Sequence, residues 1–221
     1  MRKVVLSFVF VMASLMVFSQ KRYSYGFTVG SGVSFLTGSN SGLYVSSAPK
    51  VDITAGINGD VRVWKSFYLQ AEIDYQNIGG GKETNNVIPI PMGGYDKYTF
   101  QYISIPVMLK FKIPETGFGF YAGLQNSFLL SGKVRTGATV PAFPNSSPNE
   151  EPNSSYKAGN LSNRDFSGIA GIENYWHIKS GNQIGFSIRY QWSLNSIDND
   201  SNTATTLKSN VFLLSLGYRF K

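Results

Sequence analysis

A single histidine, His177, and the absence of cysteine bound the chemistry open to this 221-residue chain. Disulfides, thiolate metal sites and cysteine nucleophiles are excluded, and one imidazole does not build a histidine metal cluster. His177 is the one candidate base for a surface lipid hydrolase or acyltransferase. No serine is paired with it by a recognisable motif, and activation needs an oriented triad. Gly79-Gly-Gly-Lys82 has the look of a phosphate loop, but the leading glycine is missing and Glu83 stands where Ser or Thr would bind magnesium. An exposed, flexible loop is expected there. Asp198-Asn-Asp-Ser-Asn202 opens like a calcium loop, yet Thr203 replaces the turn glycine and Ser209 the bidentate glutamate. Asn145-Ser-Ser, Asn153-Ser-Ser and Asn160-Leu-Ser match glycosylation acceptors formally. They fall in an Asn/Ser/Pro-rich stretch, residues 141–163, and read as composition. The expectation is a non-enzymatic protein without cofactor or metal.

The elements that would carry any remaining site begin with an address. Arg2 and Lys3 precede an apolar run from Val4 to Phe18, and Val17 and Ser19 are small enough for cleavage before Gln20. Residues 1–19 read as a signal peptide, since the run falls short of the roughly 20 apolar residues of a spanning helix. Removal of Arg2 and Lys3 leaves 18 basic against 13 acidic residues, so the formal charge drops from +7 to +5. The rest, residues 20–221, is 14% aromatic and 15% charged over the full-length composition, with 23 glycines, which argues for one folded domain rather than disorder.

That domain alternates with a period of two almost throughout, the signature of strands whose faces meet different environments. Val51, Ile53, Ala55, Ile57, Val61 and Val63 interleave with Asp52, Thr54, Gly56, Asn58, Asp60 and Arg62. Phe67, Leu69, Ala71, Ile73 and Tyr75 interleave with Glu72 and Asp74, and Ile103 to Phe111 with Ser104, Pro106, Met108 and Lys110. Eight such segments are present, the weakest at 164–176, where Ile169 breaks the pattern. Pro106 forfeits a ladder hydrogen bond, so a bulge or irregularity is expected there.

One face is bulky and nearly uncharged; the other mixes small residues with both signs of charge. An eight-stranded barrel has an interior just wide enough for side chains, so the small and charged face fits inside and the aromatic face suits lipid. The nine inward charges, Asp52, Asp60, Arg62, Glu72, Asp74, Lys110, Glu173, Arg189 and Arg219, are expected to form compensating ion pairs or to line a pore; the small lumen favours the plug. Aromatics gather near both rims: Tyr25, Phe67, Phe111, Phe118, Trp176 and Phe220 at one, Phe35, Tyr75, Phe128, Phe166, Trp192 and Phe212 at the other. Three links are short (64–66, 113–117 and 177–183) and four alternating ones are long (37–50, 79–98, 131–163 and 195–209). Short periplasmic turns opposite long external loops place both termini in the periplasm. The expected fold is an all-β, eight-stranded antiparallel up-and-down transmembrane β-barrel preceded by a signal peptide. A soluble lipocalin-like ligand-binding barrel is the alternative, with the two faces exchanged.

Several strand segments carry a family likeness: Tyr102-Ile-Ser-Ile-Pro-Val-Met-Leu-Lys-Phe111, Gly119-Phe-Tyr-Ala-Gly-Leu124, Asp165-Phe-Ser-Gly-Ile-Ala-Gly171 and the closing Leu216-Gly-Tyr-Arg-Phe-Lys221. Over residues 21–221 the sequence resembles the small outer-membrane β-barrel family, porin-like or PorT-like proteins of Bacteroidota-type bacteria. The resemblance implies location in the bacterial outer membrane and the barrel fold, not an activity. It also makes the last strand look like the signal read by the barrel-assembly machinery, with Tyr218 and Phe220 as its aromatics. The strand departs from that pattern by ending on Lys221 and by carrying Ser215 where glycine is usual. The expected partners are outer-membrane lipid and lipopolysaccharide, the assembly machinery, and an extracellular partner through loop 131–163. Nucleic acid is not expected, and the barrel is expected to be a monomer. Its function is read as surface interaction or adhesion, or envelope structure, with a narrow porin-like channel or a transport or secretion accessory as the alternatives.

Overall fold

The computed structural model describes residues 23–40, 43–44, 46–85, 93–139, 154–157, 162–197 and 206–220. The signal peptide, the 198–202 motif and the three Asn-x-Ser positions lie outside these residues. Eleven strands are present among them: β1 (Tyr23–Asn40), β2 (Leu43–Tyr44), β3 (Ser46–Ala48), β4 (Lys50–Trp64), β5 (Phe67–Asn85), β6 (Gly93–Lys112), β7 (Phe118–Thr139), β8 (Ser154–Lys157), β9 (Arg164–His177), β10 (Gln183–Ser193) and β11 (Thr206–Phe220). Eight of them form a ring in the order β11-β10-β9-β7-β6-β5-β4-β1, and β1 pairs back to β11 from Tyr25↔Phe220 to Ser39↔Thr206. Every pairing is antiparallel, so the sheet closes without an edge in its middle. The short β2, β3 and β8 add to β1, β5 and β7 near their outer ends.

The faces are oriented as a membrane barrel requires. Ile53, Ile57 and Leu216 point outward with 63%, 61% and 62% of their surface exposed, whereas Asp52, Asp60, Glu72, Asp74 and Arg219 are buried. A soluble lipocalin-like barrel would have the opposite arrangement, and that alternative is set aside. Outward aromatics stack around the rim where β1 begins and β11 ends: Tyr25 on Phe220 (5.2 Å), Phe27 on Tyr218 (5.6 Å), Trp64 on Phe67 (5.8 Å) and Phe67 against Phe111 (5.3 Å). Tyr190, Trp192 and Phe212 pack together toward the other rim.

Three local expectations are corrected. The glycine-rich 79–82 stretch is not a loop: β5 runs on to Asn85, and Gly79 and Gly80 pair with Thr99 and Tyr98 of β6. Likewise β7 continues through Ser131 to Thr139, so the first part of the supposed 131–163 loop is strand. Strands of 14 to 22 residues on this side of the ring exceed the roughly 9–11 needed to cross a bilayer, so their outer ends stand above it. The irregularity expected at Pro106 is present: the β5–β6 ladder lapses between Ala71↔Val107 and Asp74↔Ser104 and resumes in the same register. The register shift of β6 against β7 falls instead at Gln101/Tyr102, opposite Leu129–Ser131. Ile169 does not break β9; it keeps the inward parity and packs on Met108 and Tyr121 inside the barrel.

At the end where β1 begins and β11 ends the connections are tight. Lys65 adopts a left-handed φ of 40° in the β4–β5 turn, and its carbonyl accepts a hydrogen bond from Arg62 Nε at 2.7 Å. Gly117 and Gly181, at φ 73° and 84°, close the other two turns, where residues with a Cβ are disfavoured.

Candidate functional site

Strict alternation brings one residue in two from each strand into a lumen too narrow for bulk water, so inward charges must find each other. They do so in tiers. Near the rim of the short turns, Arg219 on β11 meets Glu173 on β9 at 3.0 Å, Asp60 on β4 at 3.7 Å and the Gln70 side-chain oxygen on β5 at 3.3 Å. Its guanidinium lies 3.6 Å from the centre of the Tyr175 ring. Lys110 also reaches Glu173, at 2.5 Å, and Lys112 reaches Asp60 at 3.0 Å while standing over the Tyr68 ring. Ser24 donates to Asp60 as well.

The next tier outward is built on Arg189 of β10, which binds Glu72 at 2.6 Å and Asp74 at 3.3 Å, both on β5. Three strands separate β10 from β5 in either direction around the ring, so this side chain crosses the full diameter. Gln70 donates to Glu72 from the tier below. Glycines make room for the large side chains of these tiers. A Cβ on Gly217 would sit 2.1 Å from the Tyr175 hydroxyl, and one on Gly171 would sit 2.5 Å from that of Tyr121.

Above the ion pairs lies a tier built mostly of uncharged hydrogen-bonding side chains: Gln125 to Gln76 at 3.1 Å, Ser104 to Ser127 at 2.9 Å and Ser193 with Ser209 at 2.9 Å, with the buried Asp165 accepting from Ser167 at 2.8 Å beside them. Asp52 sits at this height, accepting from Ser34 at 2.9 Å with Lys50 at 3.9 Å. Outermost is an apolar stopper, in which Leu36, Ile78, Phe100, Tyr102 and Val211 close around Ile197. Ile197 comes from the link after β10. Its carbonyl accepts from Ser162 N–H at 2.8 Å, and the neighbouring Asn195 side chain accepts from Phe166 N–H at 2.7 Å, which folds the link inward.

Of the nine charges expected inside, seven are brought together: Asp60, Glu72, Asp74, Lys110, Glu173, Arg189 and Arg219. Asp52 is buried but stands apart with Lys50. Arg62 is corrected: it is exposed at the mouth formed by the short turns, where it fastens the β4–β5 turn and lines a cavity of about 910 Å³ with Lys65, Tyr68, Lys112, Glu115 and His177. The strand ends there, so inward parity no longer implies burial. His177 is exposed in the same mouth, its ring 2.9 Å from the Gln183 amide. Lys112 belongs to the network although the sequence reading ended its strand at Phe111; extending the alternation from Lys110 by two residues finds it. The stopper carries no comparable signal, because Ile197 falls in the 195–209 segment read as a loop and Leu36 stands at the very end of the first strand, next to the 37–50 link. Tyr218 and Phe220 face outward and stack on Phe27 and Tyr25, and Asn182 donates to the Tyr218 hydroxyl at 2.7 Å.

The model of the outer membrane protein beta-barrel domain matches residues 18–199. No curated protein matches the chain in sequence. Among solved structures, Ail, the attachment invasion locus protein of Yersinia pestis, is similar at 13% identity and a TM-score of 0.42, covering 90% of this chain and 99% of its own. Neisserial surface protein A is similar at 14% identity and 0.39, with 88% and 96% covered. The outer membrane protein OprG from Pseudomonas aeruginosa stands at 9% identity and 0.39, with 88% and 95% covered.

Proposed function

Because the chain belongs to the outer membrane protein beta-barrel domain family, we propose that it is a closed, non-conducting and non-enzymatic barrel that anchors surface segments in the bacterial outer membrane for interaction or envelope structure. The observation that carries this reading is the lumen itself. Arg189 bridges its full width to Glu72 and Asp74, and the Ile197 stopper lies beyond that bridge. Two barriers of different chemistry in series, one ion-paired and one apolar, support the closed reading. The outer ends of β5, β6 and β7, with β3 and β8 added to them, form the platform on which the long links would meet a partner. The signal peptide would deliver the chain for export, and Tyr218 and Phe220 would serve as the aromatics read by the assembly machinery.

Planar-bilayer recording of the refolded mature protein tests the closed lumen. The expected result is a flat baseline under conditions where the protein shows a heat-dependent gel shift. Stable, salt-dependent unitary conductance from the same preparation would establish the narrow-channel alternative instead. An accessory role in secretion is tested separately, by a deletion strain whose secreted-protein profile should remain unchanged.

A further inference from the structure

The ion-paired residues inside the barrel are balanced by neighbours, but the cations on the outer face are not. On β7 the outward apolar band ends at Leu130, which is 58% exposed; beyond it the outward positions are taken by Ser131, Lys133 and Arg135. Lys97 on β6 stands directly opposite Arg135, and Thr99 directly opposite Lys133. Lys97, Lys133 and Arg135 are all exposed, and none has a carboxylate within ion-pair distance among the described residues. Lys157 of β8 occupies the register position opposite Lys133. Among the described residues of β5, Glu83 occupies the register position opposite Tyr95 of β6, two residues from Lys97. Like charges directly opposite one another across a sheet repel, a cost that an anion seated between them removes.

Height decides what that anion is. Lys133 lies three residues past Leu130, which at about 3.4 Å per residue and roughly 40° of tilt puts it about 8 Å above the apolar band. That is the level of the outer-leaflet headgroups, reached from the lipid side of the wall. A soluble polyanion has no reason to approach there, whereas a lipid already packed on Leu130 carries its phosphate to the cations.

We propose that Lys97, Lys133 and Arg135 form a binding site on the outer wall of β6 and β7 for the phosphate groups of a phosphorylated outer-leaflet glycolipid. The inference rests on the outer-membrane reading above and adds to it a lipid class and a location. The two arginine and lysine side chains of the Lys97–Arg135 pair clamp one phosphate, Arg135 giving a two-pronged contact. Lys133 and the Thr99 hydroxyl serve the same headgroup one step closer to the hydrocarbon.

The test uses the refolded mature protein in detergent, titrated with bis-phosphorylated lipid A or with its dephosphorylated form and read by native mass spectrometry. Wild-type protein should prefer the phosphorylated lipid by at least about tenfold, since each basic residue near an anionic surface contributes roughly fivefold. The triple variant K97Q/K133Q/R135Q should bind the two lipids equally while keeping its heat-dependent gel shift. Lys208→Gln, an exposed cation on β11 across the ring, should retain the preference. Raised salt should shrink the wild-type preference, as expected of exposed charges. Equal binding of both lipids by the wild type, or a preference surviving in the triple variant, overturns the proposal. Inorganic pyrophosphate binding to lipid-free protein through the same three residues would assign the site to a soluble anion and overturn the lipid assignment. Absence of the gel shift in the wild type would instead refute the barrel reading on which the site depends.

Discussion

Arg189 concentrates the physics of the lumen in one side chain. It is buried, and Glu72 and Asp74 take their compensating charge from it. Removing one partner of a buried ion pair is costly because the others keep their charge without a counter-ion, typically about 3–5 kcal/mol. Arg189→Met is therefore expected to lower barrel stability by about that amount, measured as the urea midpoint of the gel-shifted form. Adding Glu72→Gln and Asp74→Asn to the same variant should recover most of the loss, since the penalty lies in the stranded carboxylates. The inward charges were legible because strand parity assigns a face to each residue. Arg62 was misassigned for a physical reason: parity gives direction, and burial also needs wall on both sides, which the last residues of β4 lack.

At the scale of elements, the strands fit together inside by pairing large side chains with missing ones. Tyr175 of β9 lies over Gly217 of β11 and holds its ring against Arg219. Gly217→Val places carbon where the Tyr175 hydroxyl now sits, and a forced overpacking of this kind costs about 1–3 kcal/mol. The same urea measurement should show that loss, while Gly59→Ala, whose nearest neighbour to a new Cβ is 3.9 Å away, should be close to neutral. The outer halves of β5 and β7 were hidden from sequence reading. Gly79-Gly-Gly-Lys82 has neither alternation nor β propensity, and its extended form comes from the ladder that β6 offers it. Three short turns, by contrast, announced themselves through length and turn-forming residues, and their positions hold to within a residue or so.

For the whole molecule, the proposed closure rests on two seals in series, and they are expected to fail separately. Ile197→Asp puts a charge into the Leu36/Phe100/Val211 stopper and should release the link after β10 to protease. Conductance should nonetheless stay absent, because the Arg189 bridge beneath is untouched. Unitary steps in Ile197→Asp alone would show that the ion-paired tier does not close the lumen. The basic outer wall around Lys97, Lys133 and Arg135 belongs to this scale as well, because only the joining of β6 and β7 in register makes a site of three scattered cations.

The amino-acid sequence by itself determined the number of barrel strands, the face each residue presents and the sign of what lies inside, because a two-residue period converts directly into direction. It also marked which ends are joined tightly. Tertiary structure alone decided which charges meet, since Arg189 finds its partners on the strand farthest from it around the ring. It alone placed Ile197 in the barrel mouth and raised the strand ends above the lipid. Those outcomes depend on the diameter and register of the closed sheet, and neither quantity is carried by the local pattern of any one strand.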